Sequence, residues 1–138
     1  MRQDQDNKGL IKRLYEELFI RWNLAIIDEL VAPEFIGHEI PPGFPPGRQG
    51  FREFYAFLRS AFPDLQFTVE DMIADGDKVV VRWRWRATHR GDFLGIPPTG
   101  REAPMTGIAI YRLSESKIVE RWVEADLFGL TGRLRASA

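Results

Sequence analysis

The stretch Lys78-Val-Val-Val-Arg-Trp-Arg-Trp-Arg-Ala-Thr-His89 alternates between two kinds of side chain along its whole length. Successive side chains of an extended strand point to opposite faces of a sheet, so this spacing predicts a β-strand with two different faces. One face is apolar and aromatic and should be buried; it carries Val79, Val81, Trp83, Trp85, Ala87 and His89. The other face is basic and should be exposed; it carries Val80, Arg82, Arg84, Arg86 and Thr88.

Further strands flank this one on both sides. Asp75-Gly76-Asp77 has the residue types of a tight hairpin turn. A loop with two prolines over 91–100 separates the second predicted strand from the third. The predicted strands are, in order, 65–73, 78–89, 105–113 and 118–126. The tail 127–134 fits either a short helix or a coil.

In the N-terminal half, apolar residues recur at intervals of three and four, which is the spacing of amphipathic helices. A first helix is predicted over 9–23, and the polar segment 1–8 before it is predicted to be flexible. A shorter helix follows over 26–31 and stops before Pro33, and a third runs over 49–61.

Three helices followed by hairpin-linked strands predict an α+β domain. The helices should cover one face of a strongly curved antiparallel sheet, which leaves a cone-shaped interior for a small ligand. A chain of 138 residues fits one domain, which we place at 9–134, with a flexible tail at 135–138. The loop over 37–50 contains four prolines and four glycines, and loops of this length often act as lids.

The composition excludes several classes of function. The chain has 19 basic and 20 acidic residues and a net charge of -1, which argues against nucleic acid or an anionic membrane as partner. It has no cysteine, so neither a disulfide framework nor a thiolate zinc site is expected. No signal peptide or membrane-spanning run is recognisable, and a cytoplasmic location is therefore expected.

Asp126, at the end of the last predicted strand, is the first candidate for a catalytic residue. Alternation places it on one face with Glu120, Trp122 and Glu124, and the opposite face carries Val119, Arg121, Val123 and Ala125, unless a bulge intervenes. A carboxylate beside an indole is poorly solvated, which raises its proton affinity towards neutral pH. Asp126 also precedes Leu127 and Phe128, so it fits the N-cap of a terminal helix as well.

Two histidines and a set of aromatic residues complete the candidate site. His38 opens the proline-glycine loop and His89 ends the aromatic strand face, so both are expected at the mouth of the cone. Each can shuttle protons near neutral pH, and each also fits a hydrogen-bonded histidine without a catalytic task. The predicted walls are Trp83, Trp85, Trp122, Phe93 and Tyr15. No metal is expected, because the acids and histidines lack the spacing of a metal motif.

Four runs of the sequence share a pattern with a known family. They are Ala61-Phe-Pro-Asp-Leu65, Asp75-Gly-Asp-Lys-Val-Val-Val-Arg82, Thr88-His-Arg-Gly-Asp-Phe-Leu-Gly-Ile-Pro-Pro-Thr-Gly-Arg101, and Lys117-Ile-Val-Glu-Arg-Trp122 with Asp126. Together they resemble the SnoaL-like polyketide cyclases, or ester cyclases, of the nuclear transport factor 2-like fold. The resemblance implies a cone-shaped α+β barrel, a homodimer and cofactor-free chemistry. It also implies that Asp126 is the general acid/base of an intramolecular aldol ring closure.

The first functional hypothesis is a cofactor-free enzyme that acts on a small hydrophobic carbonyl compound. Asp126 would remove an acidic proton, and either its protonated carboxyl group or a histidine would protonate the resulting oxygen anion. Apolar walls would hold the substrate folded for ring closure, where proximity lowers the barrier. Two alternatives stay open: a non-catalytic binding module in which Asp126 is only a cap, and a hydrolase or isomerase that uses the same carboxylate.

Overall fold

The computed structural model describes residues 2–136, and these form an α+β domain as the sequence predicts. Helix α1 continues into a π-helical turn over Glu16–Ile20. The helices are α1 (Arg2–Tyr15), α2 (Ala25–Leu30), α3 (Gly47–Ala61) and α4 (Leu127–Arg135). The strands are β1 (Val31–Gly37), β2 (Gln66–Asp75), β3 (Lys78–Arg86), β4 (Met105–Ser114) and β5 (Lys117–Ala125).

The strands form one sheet in the order β1-β5-β4-β3-β2. From β2 to β5 each strand is antiparallel to its neighbour, as the predicted turns require. In contrast, β1 runs parallel to β5. The sheet is therefore mixed rather than wholly antiparallel, and it curls without closing into a barrel.

Strand β1 is absent from the sequence prediction. The sequence places Val31 in the second helix, whereas α2 ends at Leu30 and Val31 pairs with Ile118 of β5. Pro33 is the reason for the error, since proline lacks the N–H group that a central strand needs. Because β1 is an edge strand, Pro33 is tolerated there.

A bulge in β5 determines which residues of this strand face the interior. Ile118 and Glu120 pair with consecutive residues of β4, so Val119 between them is the extra residue. Ile118 is fully buried. Beyond the bulge, Arg121 and the alternate residues after it face the interior, and Trp122 faces outwards.

The N-terminal segment is helical rather than flexible. Helix α1 begins at Arg2, and two of its side chains hold the β2–β3 turn. Asn7 is buried and its Nδ2 donates to the carbonyl of Gly76 at 3.2 Å, while Asp4 accepts the Gly76 N–H at 3.1 Å. Gly76 has a φ of +63°, which glycine adopts without strain. Residues 1, 137 and 138, part of the predicted flexible ends, lie outside the described residues.

Asp64, three residues after α3, fixes the start of the segment that joins β3 to β4. Its Oδ1 accepts the backbone N–H of Thr88 and its Oδ2 accepts the Thr88 hydroxyl, both at 2.7 Å. The backbone N–H of the next residue, His89, donates to the backbone carbonyl of Arg101 at 2.9 Å. Strand β3 therefore ends at Arg86 rather than His89, and the segment after it folds back to bring Phe93 into the core.

Candidate functional site

A cavity of about 320 Å³ lies between α1, α3 and the sheet. This volume is at the lower end of the range of about 300 to 1,000 Å³ for small-molecule sites. Most of its wall is apolar, and the aromatic part includes Tyr15, Phe19, Phe67, Trp83, Trp85 and Phe93. Helices α1 and α3 thus border this space opposite the sheet.

Four of the five predicted wall residues border this cavity: Tyr15, Trp83, Trp85 and Phe93. Phe67 stacks between two of them, with ring centroids 4.8 Å from Tyr15 and 5.2 Å from Trp83. The Nε1–H group of Trp85 donates to the carbonyl of Ala103 at 2.8 Å, so the polar edge of this indole is already satisfied. These rings offer a ligand flat apolar surfaces.

A buried ion pair interrupts the apolar wall. Arg121 on β5 donates through Nε, at 2.9 Å, and through Nη2 to the same oxygen of Glu39, Oε2. Only 11% of the Arg121 side chain and 12% of the Glu39 side chain are exposed. The guanidinium carbon lies 4.6 Å from the ring centre of Phe51, so an aromatic face also covers the cation.

Two tyrosine hydroxyls lie beside this pair. Tyr15 of α1 and Tyr111 of β4 share a hydrogen bond of 2.7 Å between their hydroxyl oxygens. Tyr111 is the β4 partner of Arg121 in the sheet register, which places the phenol and the guanidinium on neighbouring strands. Four elements, α1, β4, β5 and the loop after β1, therefore bring their polar groups to one part of the cavity wall.

Burial acts in opposite directions on the pKa values of the two tyrosines and of Arg121. It raises the pKa of Tyr15 well above its ordinary value and also raises that of Tyr111, although Arg121 lowers the latter in part. Burial alone would lower the pKa of Arg121, but the charge and hydrogen bonds of Glu39 together with the nearby tyrosines outweigh it, and the pKa is raised. The tyrosines therefore stay protonated donors and Arg121 stays a cation.

Trp122 and His38 do not border the cavity, in contrast to the prediction. The Trp122 indole stacks on the His38 ring with centroids 5.0 Å apart and planes 9° apart, on the other face of β5. His38 Nε2 is hydrogen-bonded to Glu120 at 2.6 Å, and Arg112 donates to the second oxygen of Glu120. The hydrogen bond with His38, followed by that from Arg112, lowers the pKa of Glu120.

His89 is fully buried but does not line the cavity. Its Nδ1 accepts the backbone N–H of Thr99 at 3.2 Å and lies 3.0 Å from the Thr99 hydroxyl. Its ring packs 5.9 Å from Phe62, and its Nε2 has no hydrogen-bond partner within residues 2–136. This environment matches the alternative of a structural histidine that holds the segment after β3.

Asp126 is exposed and caps α4. Its Oδ1 accepts the backbone N–H of Gly129 at 2.9 Å, the contact expected of an N-cap. The poorly solvated setting expected from Trp122 is absent, because that indole packs against His38. The neighbours of Asp126, Ala125 and Leu127, do border the cavity, so the residue lies near its rim.

The three predicted catalytic residues thus lie in three different environments: an outer sheet face, a buried segment and a helix cap. The sequence analysis did not select Glu39, Arg121 or Tyr111 as site residues. The sequence does indicate that Arg121 is paired. Alternation puts it on the face of Val123 and Ala125, and an arginine on an apolar face requires a partner. Nothing local to Glu39 identifies it as that partner.

Residues 2–136 contain neither a metal-ligand cluster nor a membrane-spanning helix. Within residues 2–136, no group of three histidine, aspartate or glutamate side chains is arranged to hold a metal ion. None of the helices in the part of the chain that the structure describes is long and apolar enough to cross a membrane.

The sequence profile of the SnoaL-like polyketide cyclases matches residues 9–134. The chain belongs to this family. Its match extends from α1 to α4 and so includes every element that borders the cavity. Among curated proteins, no match to this SnoaL-like chain was found.

Solved structures of similar proteins support the same fold. IdmH, a proposed polyketide cyclase from Streptomyces antibioticus, is 34% identical with a TM-score of 0.79, over 94% of this chain and 99% of that one. A proposed polyketide cyclase from Acidithiobacillus ferrooxidans is 30% identical with a TM-score of 0.82, over 96% of both chains. A proposed SnoaL-like polyketide cyclase from Jannaschia sp. CCS1 is 26% identical with a TM-score of 0.86, over 98% and 95%.

Proposed function

We propose that this SnoaL-like chain is a cofactor-free enzyme that closes a ring in a hydrophobic carbonyl compound by an intramolecular aldol reaction. The observation that carries the proposal is the largely aromatic cavity whose wall also holds the buried Arg121–Glu39 pair and the hydroxyls of Tyr15 and Tyr111. Apolar walls hold a flexible carbonyl chain in a folded conformation, and this lowers the entropic part of the barrier. Family membership and the similarity to proposed polyketide cyclases support the same reaction class.

The proposed reaction needs only a proton acceptor and a site for negative charge. A carboxylate takes a proton from a carbon next to a carbonyl, and the electron pair of that C–H bond forms an enolate. The enolate carbon attacks a second carbonyl carbon of the same molecule, a C–C bond forms, and the new alkoxide takes the proton back. No atom is gained or lost, so no cofactor is required.

Asp126 is the proton acceptor that the family resemblance implies, and in our proposal it keeps this role. One of its oxygens, Oδ1, is used by the cap contact with Gly129, which leaves Oδ2 to accept a proton. Its position between Ala125 and Leu127, both on the cavity border, supports this role.

A second candidate function is a binding module that holds a carbonyl compound without converting it. The exposure of Asp126 and its cap contact favour this candidate, because both fit a purely structural carboxylate. Under this proposal the cavity has the same ligand class but no turnover.

Incubation with 1-phenyl-1,3,5-hexanetrione separates the two candidates. Ring closure gives a product of unchanged mass, or of mass reduced by one water after dehydration, which chromatography with mass spectrometry detects. We expect faster closure with the protein than in buffer. Quenching of tryptophan fluorescence without any closure would leave the binding module as the function.

Trp83→Phe and Trp122→Phe are a matched pair of variants for the binding signal. Trp83 borders the cavity and Trp122 lies on the outer face. Quenching should therefore decrease with the first substitution and persist with the second. The reverse result would place the ligand outside the cavity.

A further inference from the structure

Arg121 has one guanidinium nitrogen that the protein leaves unused. Nε and Nη2 both donate to Oε2 of Glu39, whereas Nη1 has no hydrogen-bond partner within residues 2–136. Among the residues that the structure describes, the buried side-chain atoms that lack a partner are Oε1 of Glu39 and Nε2 of His89. The Tyr111 hydroxyl lies close to the guanidinium, which lowers the Tyr111 pKa in part. Because Nη1 is not among these buried atoms and Arg121 borders the cavity, this nitrogen keeps donor capacity for a ligand.

The guanidinium is held in a fixed orientation. Glu39 fixes one edge, and the rings of Phe51 and Phe35 cover the cation at 4.6 Å and 5.4 Å from their centres. With one edge bonded to Glu39 and aromatic rings packed against the cation, the other edge of the guanidinium is the part left for a ligand. An arginine that is immobilised before binding loses little side-chain entropy when it donates to a ligand.

The tyrosine pair adds a second donor. In the 2.7 Å contact between Tyr15 and Tyr111, one hydroxyl donates and the other accepts. The accepting hydroxyl keeps its own proton, which has no other acceptor in the described chain. Both tyrosines border the cavity, so this proton is available to an oxygen atom bound beside Arg121.

We propose that Arg121 and the Tyr15–Tyr111 pair form an oxyanion-binding site, and that its ligands are planar apolar compounds with one enolate oxygen. Donors fixed in an apolar cavity stabilise negative charge on oxygen without reorganisation. The aromatic walls contact the rest of such a ligand. This assignment rests on the proposed function, since the same cavity would bind the enolate formed during ring closure.

Glu39 is a positioning residue in this site. Removing its charge should change the affinity for an enolate in a direction that a purely structural ion pair would not produce. Glu39 orients Arg121, but its negative charge also repels a bound anion. Glu39→Gln keeps an oxygen that accepts from Nε and Nη2 and removes the charge. The variant should therefore bind an enolate more tightly than the wild type does, while Arg121→Met should bind it more weakly.

The probe is 1,3-indandione, an acidic diketone whose enolate absorbs visible light, with 1-indanone as its neutral counterpart. Titration with each compound, followed by absorbance and tryptophan fluorescence, gives two dissociation constants for each variant. Hydrogen bonds to charged groups lead us to expect that the wild type prefers the enolate by about 10- to 100-fold. Arg121→Met should abolish this preference and weaken 1-indanone binding far less than enolate binding, because a neutral carbonyl oxygen is the weaker acceptor.

Three further variants complete the test: one controls for an uncompensated buried charge, one removes a tyrosine hydroxyl, and one controls for the loss of an arginine. Arg121→Met leaves Glu39 as an uncompensated buried charge, so the double variant Glu39→Gln/Arg121→Met is measured with it; it should also lack the preference. Tyr15→Phe, which removes one hydroxyl, should reduce the preference several-fold. Arg84→Met, on the outer face of β3, controls for the loss of an arginine and should bind as the wild type does.

The outcomes separate this inference from the proposed function. Equal affinity for the two probes in the wild type, or an unchanged preference in both Arg121 variants, would overturn the oxyanion site even if the triketone is cyclised. An Arg121-dependent preference without triketone closure would keep the site and reject the cyclase. Weaker enolate binding by folded Glu39→Gln would contradict the predicted repulsion between the Glu39 charge and the bound enolate.

Discussion

A Cβ atom at Gly107 would lie 2.7 Å from Cε2 of the Trp83 indole and closer still to Cζ2. The two residues pair across β4 and β3. Real Cβ atoms do not approach a ring this closely, and the Trp83 indole is held between Phe67 and Trp85. Because position 107 has no side chain, the Trp83 indole fits against β4, and this sets the position of that part of the cavity wall.

Gly107→Ala should destabilise the protein by about 1 to 3 kcal/mol, the usual cost of overpacking a core. It should also move Trp83 towards the cavity and weaken quenching by aromatic ligands. Urea unfolding and fluorescence titration measure the two effects. Gly132→Ala in α4 is the matched control, because its Cβ meets nothing within 4 Å; it should be neutral or slightly stabilising.

Tyr111→Phe should cost about 1 to 3 kcal/mol, because it leaves the buried Tyr15 hydroxyl without a protein partner. The double variant Tyr15→Phe/Tyr111→Phe removes both hydroxyls. We expect its loss in the free energy of unfolding to be smaller than the sum of the two single losses. Additive losses in urea unfolding would show that the two hydroxyls do not interact.

Asp126→Asn should change stability by no more than about 1 kcal/mol, since asparagine caps a helix about as well as aspartate. An amide does not take up a proton at neutral pH, so triketone closure should fall by roughly 100-fold or more. Thermal unfolding and turnover of the one variant give both values. Full turnover would exclude Asp126 as the proton acceptor and direct attention to Glu124 and Glu39, which border the cavity.

The contact between Asp64 and Thr88 should make stability depend on acid pH. Partial burial raises the pKa of Asp64, but the Thr88 hydrogen bonds and Arg90 outweigh it, so the pKa lies below its ordinary 3.8. A lowered folded-state pKa contributes stability above 3.8 that is lost as the pH falls through the folded value.

The stability difference between wild type and Asp64→Asn should therefore shrink when urea unfolding is repeated from about pH 6 to about pH 2. Asp92→Asn, at an exposed position of the same segment, should show no such trend. A difference that stays constant across this range would contradict the role of the Asp64 charge.

We propose that two copies of the chain pair through the outer face of the sheet, as the family resemblance implies. Arg82 and Arg84 on this face pair with Asp71 and Glu70 of the same chain. The contact between the two copies would therefore come from exposed apolar residues such as Ile108, which is 47% exposed. Light scattering at tens of micromolar should give the dimer mass. Ile108→Lys should reduce it, whereas Ile20→Lys should not; a monomer mass for the wild type would reject the dimer.

Elements whose burial repeats with a local period are predictable from the residues alone. The alternation from Val79 to Ala87 predicted both faces of β3, and the spacing of three and four predicted α1 and α3. These patterns are readable because each element carries its own apolar face. Tyr15, Trp83 and Trp85 follow these patterns and border the cavity, whereas the predicted wall residue Phe93 borders it from a loop without a local period.

Long-range pairing, in contrast, sets which face of β5 lines the cavity and which polar groups meet there. The bulge at Val119 and the edge strand β1 depend on pairing between strands, which no local period records. Arg121 is separated from Glu39 by 82 positions, and Tyr15 from Tyr111 by 96. Such contacts form because buried polar groups require partners, and the fold, rather than the neighbouring sequence, determines which partner is within reach.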